Sequence, residues 1–242
     1  MRNPALSLRS VAPACEHSYA EAEHNGQALL LDPAGALYLP DHGLLCVSDL
    51  HLEKGAAYAR RGQFLPPWDT FATLRILQSA IARHDPKIVV TLGDNFHDRR
   101  GSAEMPDGAR MMIREMVRGR EWIWISGNHD PDGVAGLPGV EAETFDYAGL
   151  HFRHEPERAA RPGEVAGHLH PAAVLVRRAR GVRRPCFAAD GRRIVMPSFG
   201  VMTGGLDLRH KAFQGLFDKS CLVAHMLGDR RVHSIAYGRL SG

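Results

Sequence analysis

Apolar residues along the chain form two patterns, short continuous runs and positions at helical spacing. Three continuous runs each end in polar residues, which is typical of buried strands in a parallel sheet. They are LLCVSDLH (44–51), KIVVTLGD (87–94) and EWIWISGNHD (121–130). Between them, residues 68–84 and 104–119 carry apolar side chains at helical spacing. The alternation of strands and helices predicts an α/β fold with a sheet covered on both faces.

The remainder of the chain has a different pattern. Residues 27–40 hold two apolar runs around Asp-Pro-Ala-Gly, which predicts a β-hairpin. After residue 145, short strand-like runs joined by tight turns predict a mostly antiparallel half that closes with a hairpin over 220–238. No repeat or low-complexity linker divides the chain, so we expect a single domain over residues 26–242. Residues 1–25 lack periodicity, which predicts a flexible or loosely docked arm.

Composition adds broad limits. The 242 residues are 44% hydrophobic and 24% charged, as in ordinary globular proteins, and the net charge of +3 permits a polyanionic partner without requiring one. The four cysteines are scattered, which argues against a disulfide scaffold or a cysteine-based zinc site. The sequence has no secretory h-region and no apolar run of the ~18 residues that a membrane helix needs. We therefore expect a cytoplasmic protein with no membrane partner.

Histidine and aspartate collect where the predicted strands end. In open α/β sheets, ligands bind beyond the carboxyl ends of the strands. Any one of these residues alone is more often a turn former or a packed side chain. Together they would be costly to bury without compensating charge, and bound metal is the simplest compensation. The residues are Asp49, His51, Asp94, His97, Asp98, Asn128, His129, Asp130, His154, His168 and His170.

Five ordered motifs carry a family resemblance. They are DLH (49–51), GDNFHD (93–98), GNHD (127–130), RHEP (153–156) and GHLHP (167–171). The series resembles that of the calcineurin-like metallophosphoesterases, whose pattern is D-x-H, G-D, G-N-H-D/E, H and G-H-x-H. The resemblance implies a four-layer α/β/β/α sandwich with mixed sheets that holds two divalent metal ions.

The same resemblance implies roles for individual residues. Asp49, His51, Asp94 and His170 would hold one ion, and Asp94, Asn128, His154 and His168 the other, with Asp94 bridging. Imidazole and carboxylate together favour manganese, with iron or zinc as alternatives, over calcium. His129 would supply a proton to the leaving alkoxide or stabilise its charge. Asp49 and Asp130 are both candidates to orient it, and we count Asp130 with His129 as the predicted catalytic residues.

Other segments resemble one branch of that superfamily, the ligase-associated DNA damage response endonucleases of the PdeM type. These segments are GALYLP (35–40), DLHLEKG (49–55), RRGQFLPP (60–67), HEP (154–156), RPCF (184–187) and PSFGVMTGG (197–205). This resemblance implies a bacterial repair phosphoesterase or nuclease that acts beside a DNA ligase and a helicase.

Several cations are candidates to bind substrate. Lys54, Arg60 and Arg61 follow the first motif closely, so we predict a phosphate contact from one of them. His97 follows Asp94 and either supports the site or binds substrate, or is a packed side chain. All four residues are candidates for substrate binding. The arginine-rich segment 176–185 is either a track for a nucleic-acid backbone or a solvated hairpin.

The sequence therefore predicts a metal-dependent phosphodiesterase acting on nucleic acid, most plausibly DNA. One alternative is an enzyme with the same chemistry that cleaves a nucleotide, a cyclic nucleotide or a phosphomonoester. Another is a binding scaffold without activity, although a scaffold would be expected to lose ligands or His129.

Overall fold

Two mixed β-sheets pack face to face at the centre of the molecule. This computed structural model describes residues 18–63, 65, 68–131, 133–159, 161–177 and 180–241, and within them the sheets have seven and nine strands. The first sheet contains, in spatial order, β1 (Ala20–His24), β2 (Gln27–Leu31), β3 (Leu37–Leu39), β4 (Leu44–Val47), β5 (Ile88–Leu92), β6 (Glu121–Ile125) and β7 (Val140–Ala142).

Strands β4 to β7 of the first sheet are parallel, as the apolar runs predict, and β1 to β4 are antiparallel. The hairpin predicted over 27–40 is β2–β3, and Asp32 Oδ1 accepts the Ala34 N–H in its turn. Along β4, Leu44 and Cys46 face the second sheet while Leu45 and Val47 face the helices. This alternation buries both faces of the strand.

The second sheet is mostly antiparallel, as expected, but contains parallel pairs. Its strands are β8 (Thr144–Tyr147), β9 (Leu150–Arg153), β10 (Glu164–Ala166), β11 (Pro171–Arg177), β12 (Arg180–Ala189), β13 (Arg193–Val195), β14 (Leu206–Asp207), β15 (Val223–Leu227) and β16 (Val232–Ala236). Strands β9, β10 and β13 run parallel, and so do β11 and β14. The predicted closing hairpin is β15–β16.

Helices cover the outer face of the first sheet. They are α1 (Lys54–Arg60), α2 (Asp69–His84), α3 (Gly101–Glu104) and α4 (Asp107–Val117). Helix α2 confirms the prediction for 68–84, whereas the single helix predicted over 104–119 is wrong at its start. Met105 is extended, with ψ of 138°, because a residue that precedes proline avoids the helical region, and α4 begins only after Pro106.

The outer face of the second sheet is covered differently. A 3₁₀ turn, Lys211–Phe213, packs there with loop residues that include Leu222 and Leu240. The predicted sandwich of two mixed sheets is confirmed, and in the described segments the layer outside the second sheet contains the 3₁₀ turns Lys211–Phe213 and Tyr237–Arg239.

Part of the predicted N-terminal arm forms a strand. Residues 1–17 lie outside the described part of the chain, but β1 pairs along its full length with β2. His24 Nε2 donates to Glu164 O of the second sheet at 3.1 Å. The first sheet therefore starts before the predicted boundary at residue 26, and the single domain over 26–242 stays a prediction.

Two expectations drawn from composition can be compared with the structure. Among the described residues, Cys46, Cys186 and Cys221 are free thiols. No helix in the described ranges is both long enough and apolar enough to cross a membrane.

Candidate metal centre

The candidate ligands lie at the carboxyl ends of strands from both sheets, where the chain reverses abruptly. Five of them have a left-handed backbone, which side chains with a Cβ rarely adopt outside functional sites. They are Asp49 (φ 53°), His51 (φ 44°), Asp94 (φ 46°), His168 (φ 67°) and His170 (φ 44°). The abrupt turns direct side chains from separate strands towards one centre.

Asp49, His51 and His170 form the first cluster, and one ligand atom from each lies within 4.8 Å of the other two. Asp49 is fully buried, and its Oδ1 is 3.0 Å from His170 Nε2. The Nε2 atoms of His51 and His170 are 3.4 Å apart. These three side chains can hold one cation.

Asp94, His154 and His168 form the second cluster. His154 Nε2 lies 3.4 Å from Asp94 Oδ1 and 3.2 Å from His168 Nδ1. Asn128 adds its Oδ1 at 2.9 Å from His154 Nε2. The two clusters adjoin, since His51 Nε2 is 3.9 Å from Asp94 Oδ2.

The orientation of two histidine rings shows that their Nε2 atoms can serve as metal ligands. His154 Nδ1 donates to Leu92 O at 2.8 Å and His170 Nδ1 donates to Gly204 O at 3.2 Å, so the Nε2 atom of each ring faces the cluster. Burial opposes the shift, but the hydrogen bond and the charge of Asp49 raise the pKa of His170, and a bound cation would take the place of the proton between these two groups.

His51 supports the same conclusion. Burial lowers the pKa of His51 to about 3, so its ring is neutral at neutral pH and provides no compensating charge of its own. Its Nδ1 is buried and has no hydrogen-bond partner among the described residues. A mixed set of imidazole, carboxylate and amide donors suits a first-row divalent ion.

Two glycines of the motifs permit this close approach. A Cβ at Gly127 would overlap the main-chain nitrogen and Oδ1 of Asp94, and one at Gly167 would overlap Ser48 Oγ and crowd Asp49 Oδ2. The glycines that precede Asn128 and His168 are therefore needed for packing against the two buried carboxylates.

His129 lies at the edge of the second cluster. Its main-chain N–H donates to Asp94 Oδ1 at 2.9 Å, and its Nε2 is 3.9 Å from Asp94 Oδ2. Its Nδ1 donates to the main-chain oxygen of His97 at 2.9 Å, which leaves Nε2 to face the site. With 40% of its side chain exposed, His129 can reach a bound substrate.

Asp130 does not orient His129, contrary to one of the two possibilities left open by the sequence. It is buried, and its oxygens accept the main-chain N–H groups of Asn95, Phe96 and Gly127 at 2.8, 3.3 and 2.9 Å. Burial raises the pKa of Asp130, although these donors oppose the shift. Asp130 therefore joins two loops, and the main-chain carbonyl of His97 performs the orienting role; no side-chain motif could have revealed a main-chain acceptor.

Sequence reasoning also missed two serines beside Asp49. Ser48 Oγ donates to Asp49 Oδ2, and Ser198 Oγ donates to Asp49 O at 2.9 Å. The only available signal was position, because Ser48 precedes the first motif and Ser198 lies in the PSFG segment. Both serines fix the orientation of a candidate ligand, as hydrogen bonds to ligands generally do.

Three of the four predicted substrate-binding residues have protein partners. Lys54 Nζ donates to Met202 O at 2.9 Å, and Arg60 pairs with Asp98 at 2.5 Å and Glu104 at 2.7 Å. The ring of His97 contacts those of His51 and His129. Burial, followed by the charge of Lys54, lowers the pKa of His97 to about 4.

Two further predicted sites have different surroundings. Arg61 is exposed where α1 ends. The arginine-rich segment forms most of the β11–β12 hairpin, with residues 178 and 179 outside the described set. There, Arg183 donates to Gly205 O, and Arg184 lies 3.3 Å from Asp229.

The fold and the centre together define a metal-dependent phosphoesterase. The family profile described as calcineurin-like phosphoesterase matches residues 43–194, which is more than half of the chain and includes every candidate metal ligand. The chain therefore belongs to the calcineurin-like phosphoesterase family, in agreement with its motifs, and is a hydrolase that uses divalent metal.

A solved structure resembles this chain over most of its length. The crystal structure of Pseudomonas putida nuclease MPE superposes with a TM-score of 0.71 at 31% sequence identity. The match covers 90% of this chain and 100% of the other. No curated protein matches the sequence.

Proposed function

We propose that this protein is a dinuclear-metal phosphodiesterase that hydrolyses phosphodiester bonds in nucleic acid, with DNA as its substrate. The observation that carries the proposal is the meeting of two donor clusters, each able to hold a cation. His51 Nε2 is 3.9 Å from Asp94 Oδ2, and Asp49 Oδ1 is 4.0 Å from His154 Nδ1. This proximity suits two ions that act on one phosphate.

We assign the ligands as two sets that share Asp94. The first ion would be held by Asp49, His51, Asp94 and His170, and the second by Asp94, Asn128, His154 and His168. Manganese is the proposed metal because imidazole, carboxylate and amide donors are combined, and iron or zinc would satisfy the same donors. When bound, the ions would supply Lewis acidity that activates water and offsets the charge of the transferring phosphoryl group.

The residues of the chain would then position and protonate the substrate. Asp49 and Asp94 are only two carboxylates against two divalent charges, so the centre retains a positive charge that attracts a phosphate diester. His129, held by the His97 carbonyl, would hold a proton on Nε2 and deliver it to the oxygen of the leaving nucleotide.

Nucleic acid is favoured over a small substrate by two observations. The similar structure from Pseudomonas putida is a nuclease. The proposed centre also opens to solvent, since Asn128 is exposed and 40% of the His129 side chain is exposed. A site that opens in this way can receive a phosphate in the middle of a long chain.

The biological setting is inferred from the narrower motif resemblance. Segments such as GALYLP and PSFGVMTGG support a role in bacterial DNA repair, in the cytoplasm, beside a DNA ligase and a helicase. Co-purification of the native protein with either partner after DNA damage tests this association, and its absence would argue against the repair complex without affecting the chemistry.

Cleavage assays test the reaction itself. Protein loaded with Mn²⁺ is incubated with single-stranded DNA, nicked duplex DNA and bis-p-nitrophenyl phosphate, with EDTA-treated protein as control. We expect metal-dependent cleavage of DNA and of the small diester. Turnover of the small diester without cleavage of any DNA would contradict the nuclease assignment and favour a small-molecule phosphodiesterase. Protein that binds no Mn²⁺ would contradict the dinuclear centre.

A further inference from the structure

An open cleft rich in arginine lies between α1 and the segment that follows β5. It has a volume of about 310 Å³. We call it the arginine cleft, and its lining residues are Ala57, Arg60, Arg61, Asp98, Arg99 and Arg100. The four arginines and single aspartate leave a net positive charge in the cleft, even when Glu104 beside it is counted.

The arginine cleft is next to the metal centre because its two walls leave adjacent strands at the same edge of the sheet. The segments after β4 and β5 are joined by main-chain hydrogen bonds from Leu52 N to Asn95 O and from His97 N to Leu52 O, both at 2.9 Å. The ring of His97 contacts His51 on one side and Tyr58 of α1 on the other, at centroid distances of 5.7 and 5.5 Å. His97 therefore lies between His51 of the centre and α1, the helix that supplies one wall of the cleft.

Ion pairs hold the walls of the cleft in place. The Arg60 guanidinium bridges Asp98 and Glu104, which connects the end of α1 to the segment after β5 and to α3. Asp98 Oδ1 also accepts the Arg100 N–H at 3.1 Å. The Arg60 guanidinium is therefore engaged in ion pairs within the protein, whereas Arg61 and Arg100 are exposed residues that line the cleft.

We propose that the arginine cleft binds a backbone phosphate of the substrate strand beside the phosphate that is cleaved. This inference rests on the proposed nuclease function and extends it to a second contact. Arginine suits that role because its planar guanidinium can donate two parallel hydrogen bonds to a phosphate. Arg61 and Arg100 make the contact, while Arg60 and Asp98 hold the walls that carry them.

The test replaces the charge of both contact residues and uses a remote arginine as its control. The double variant Arg61→Gln/Arg100→Gln is compared with wild type and with Arg118→Gln. Arg118 follows the end of α4, away from the candidate ligands, and its side chain is 76% exposed. All three proteins are loaded with Mn²⁺ and assayed over a salt series on single-stranded DNA and on bis-p-nitrophenyl phosphate.

We expect the double variant to raise the KM for DNA by about 10-fold or more. Its salt dependence should also weaken, and the log–log slope should fall by about 0.7 for each phosphate of a single strand that the variant no longer neutralises. Turnover of the small diester, which is too short to reach the cleft, should stay within about twofold of wild type and so reports a folded, metal-loaded centre. Arg118→Gln should match wild type in all three measurements.

Two results would overturn the inference, and they differ. If wild type cleaves DNA and the double variant keeps the same KM and salt slope, the cleft does not bind the substrate strand and the nuclease function stands. If wild type turns over the small diester but neither binds nor cleaves DNA, the nuclease function fails, and the inference fails with it.

Discussion

Two adjacent loops of this protein each have a front that faces the metal centre and a back that faces the protein interior. The front contains Asp94 and His129, and the back contains their chain neighbours Asn95 and Asp130. On the back, Asp130 accepts three main-chain N–H groups, and Asn95 Nδ2 donates to Ile125 O at 3.0 Å. On the front, Asp94 accepts the His129 N–H at 2.9 Å and lies 3.4 Å from His154 Nε2 and 3.9 Å from His51 Nε2.

The different surroundings of Asp130 and Asp94 show that a buried carboxylate can have two roles. A carboxylate that is saturated with N–H donors stabilises the fold and needs no ion. A carboxylate that faces imidazole nitrogens, as Asp94 does, belongs to a set of donor atoms that bound metal can use. The hydrogen bonds of Asp130 join the two loops at the back, and the front keeps donor atoms that can bind metal.

The largest expected effect comes from Asp94→Asn on the front. Loss of the proposed bridging carboxylate should prevent metal binding at the centre. The transition state would then lose several kcal/mol of charge stabilisation, which corresponds to a decrease in kcat/KM of roughly 1000-fold. Metal content by mass spectrometry and turnover of bis-p-nitrophenyl phosphate measure both effects. In EDTA, the free energy of unfolding of the variant should lie within about 1 kcal/mol of the wild-type value, because the amide keeps an acceptor for the His129 N–H. A variant with full metal content would contradict the bridging assignment.

A smaller effect is expected from His129→Ala, which should lower kcat for DNA cleavage by about 100-fold or more. If His129 protonates the leaving group, DNA cleavage should slow strongly while a diester with a p-nitrophenol leaving group, which needs little protonation, is nearly unaffected. Both metals should remain bound, since His129 is not a proposed ligand. The measurement is the ratio of kcat on the two substrates. Equal losses on both would argue that His129 binds phosphate or metal and does not act as an acid.

On the back, Asp130→Ala should reduce stability. The substitution leaves three buried N–H groups without an acceptor, at a cost of roughly 3 kcal/mol or more in the free energy of unfolding. Urea unfolding in EDTA measures this cost without a contribution from bound metal. Asp130→Asn, which keeps one acceptor oxygen, serves as the milder control. If Asp130→Ala unfolded at the same urea concentration as wild type, the hydrogen bonds of Asp130 would not stabilise the fold, and the proposed difference between front and back would be wrong.

The sequence predicted the front far better than the back. The candidate ligands lie in recognisable motifs, because metal chemistry requires His and Asp side chains at the ends of strands. The apolar runs placed those strands correctly. Asp130 belongs to the same motif but faces away, since adjacent residues in a turn point in different directions. The acceptor for His129 is a main-chain oxygen, which has no side-chain signature. The split between α3 and α4 was also missed, although Pro106 was a visible signal for it.

His225, which is not a candidate ligand, shows what burial alone does to the pKa of a histidine in this fold. His225 on β15 is buried, and its Nδ1 is 2.8 Å from Ser234 Oγ. Burial lowers its pKa from 6.5 to about 4, so between these values the unfolded chain binds more protons than the folded one. Its contribution to stability is therefore present above pH 6.5 and is lost as the pH falls towards 4.

Between pH 7 and pH 5, protonation of unfolded His225 should cost about 2 kcal/mol of stability. His225→Gln keeps a hydrogen-bonding amide beside Ser234 but cannot titrate, so its stability should depend less on pH by that amount. Urea unfolding of both proteins in EDTA across this range measures the difference, in which the metal-centre histidines cancel because both proteins share them. Parallel pH profiles would mean that His225 is hydrated, and that burial alone does not account for a neutral histidine in this fold.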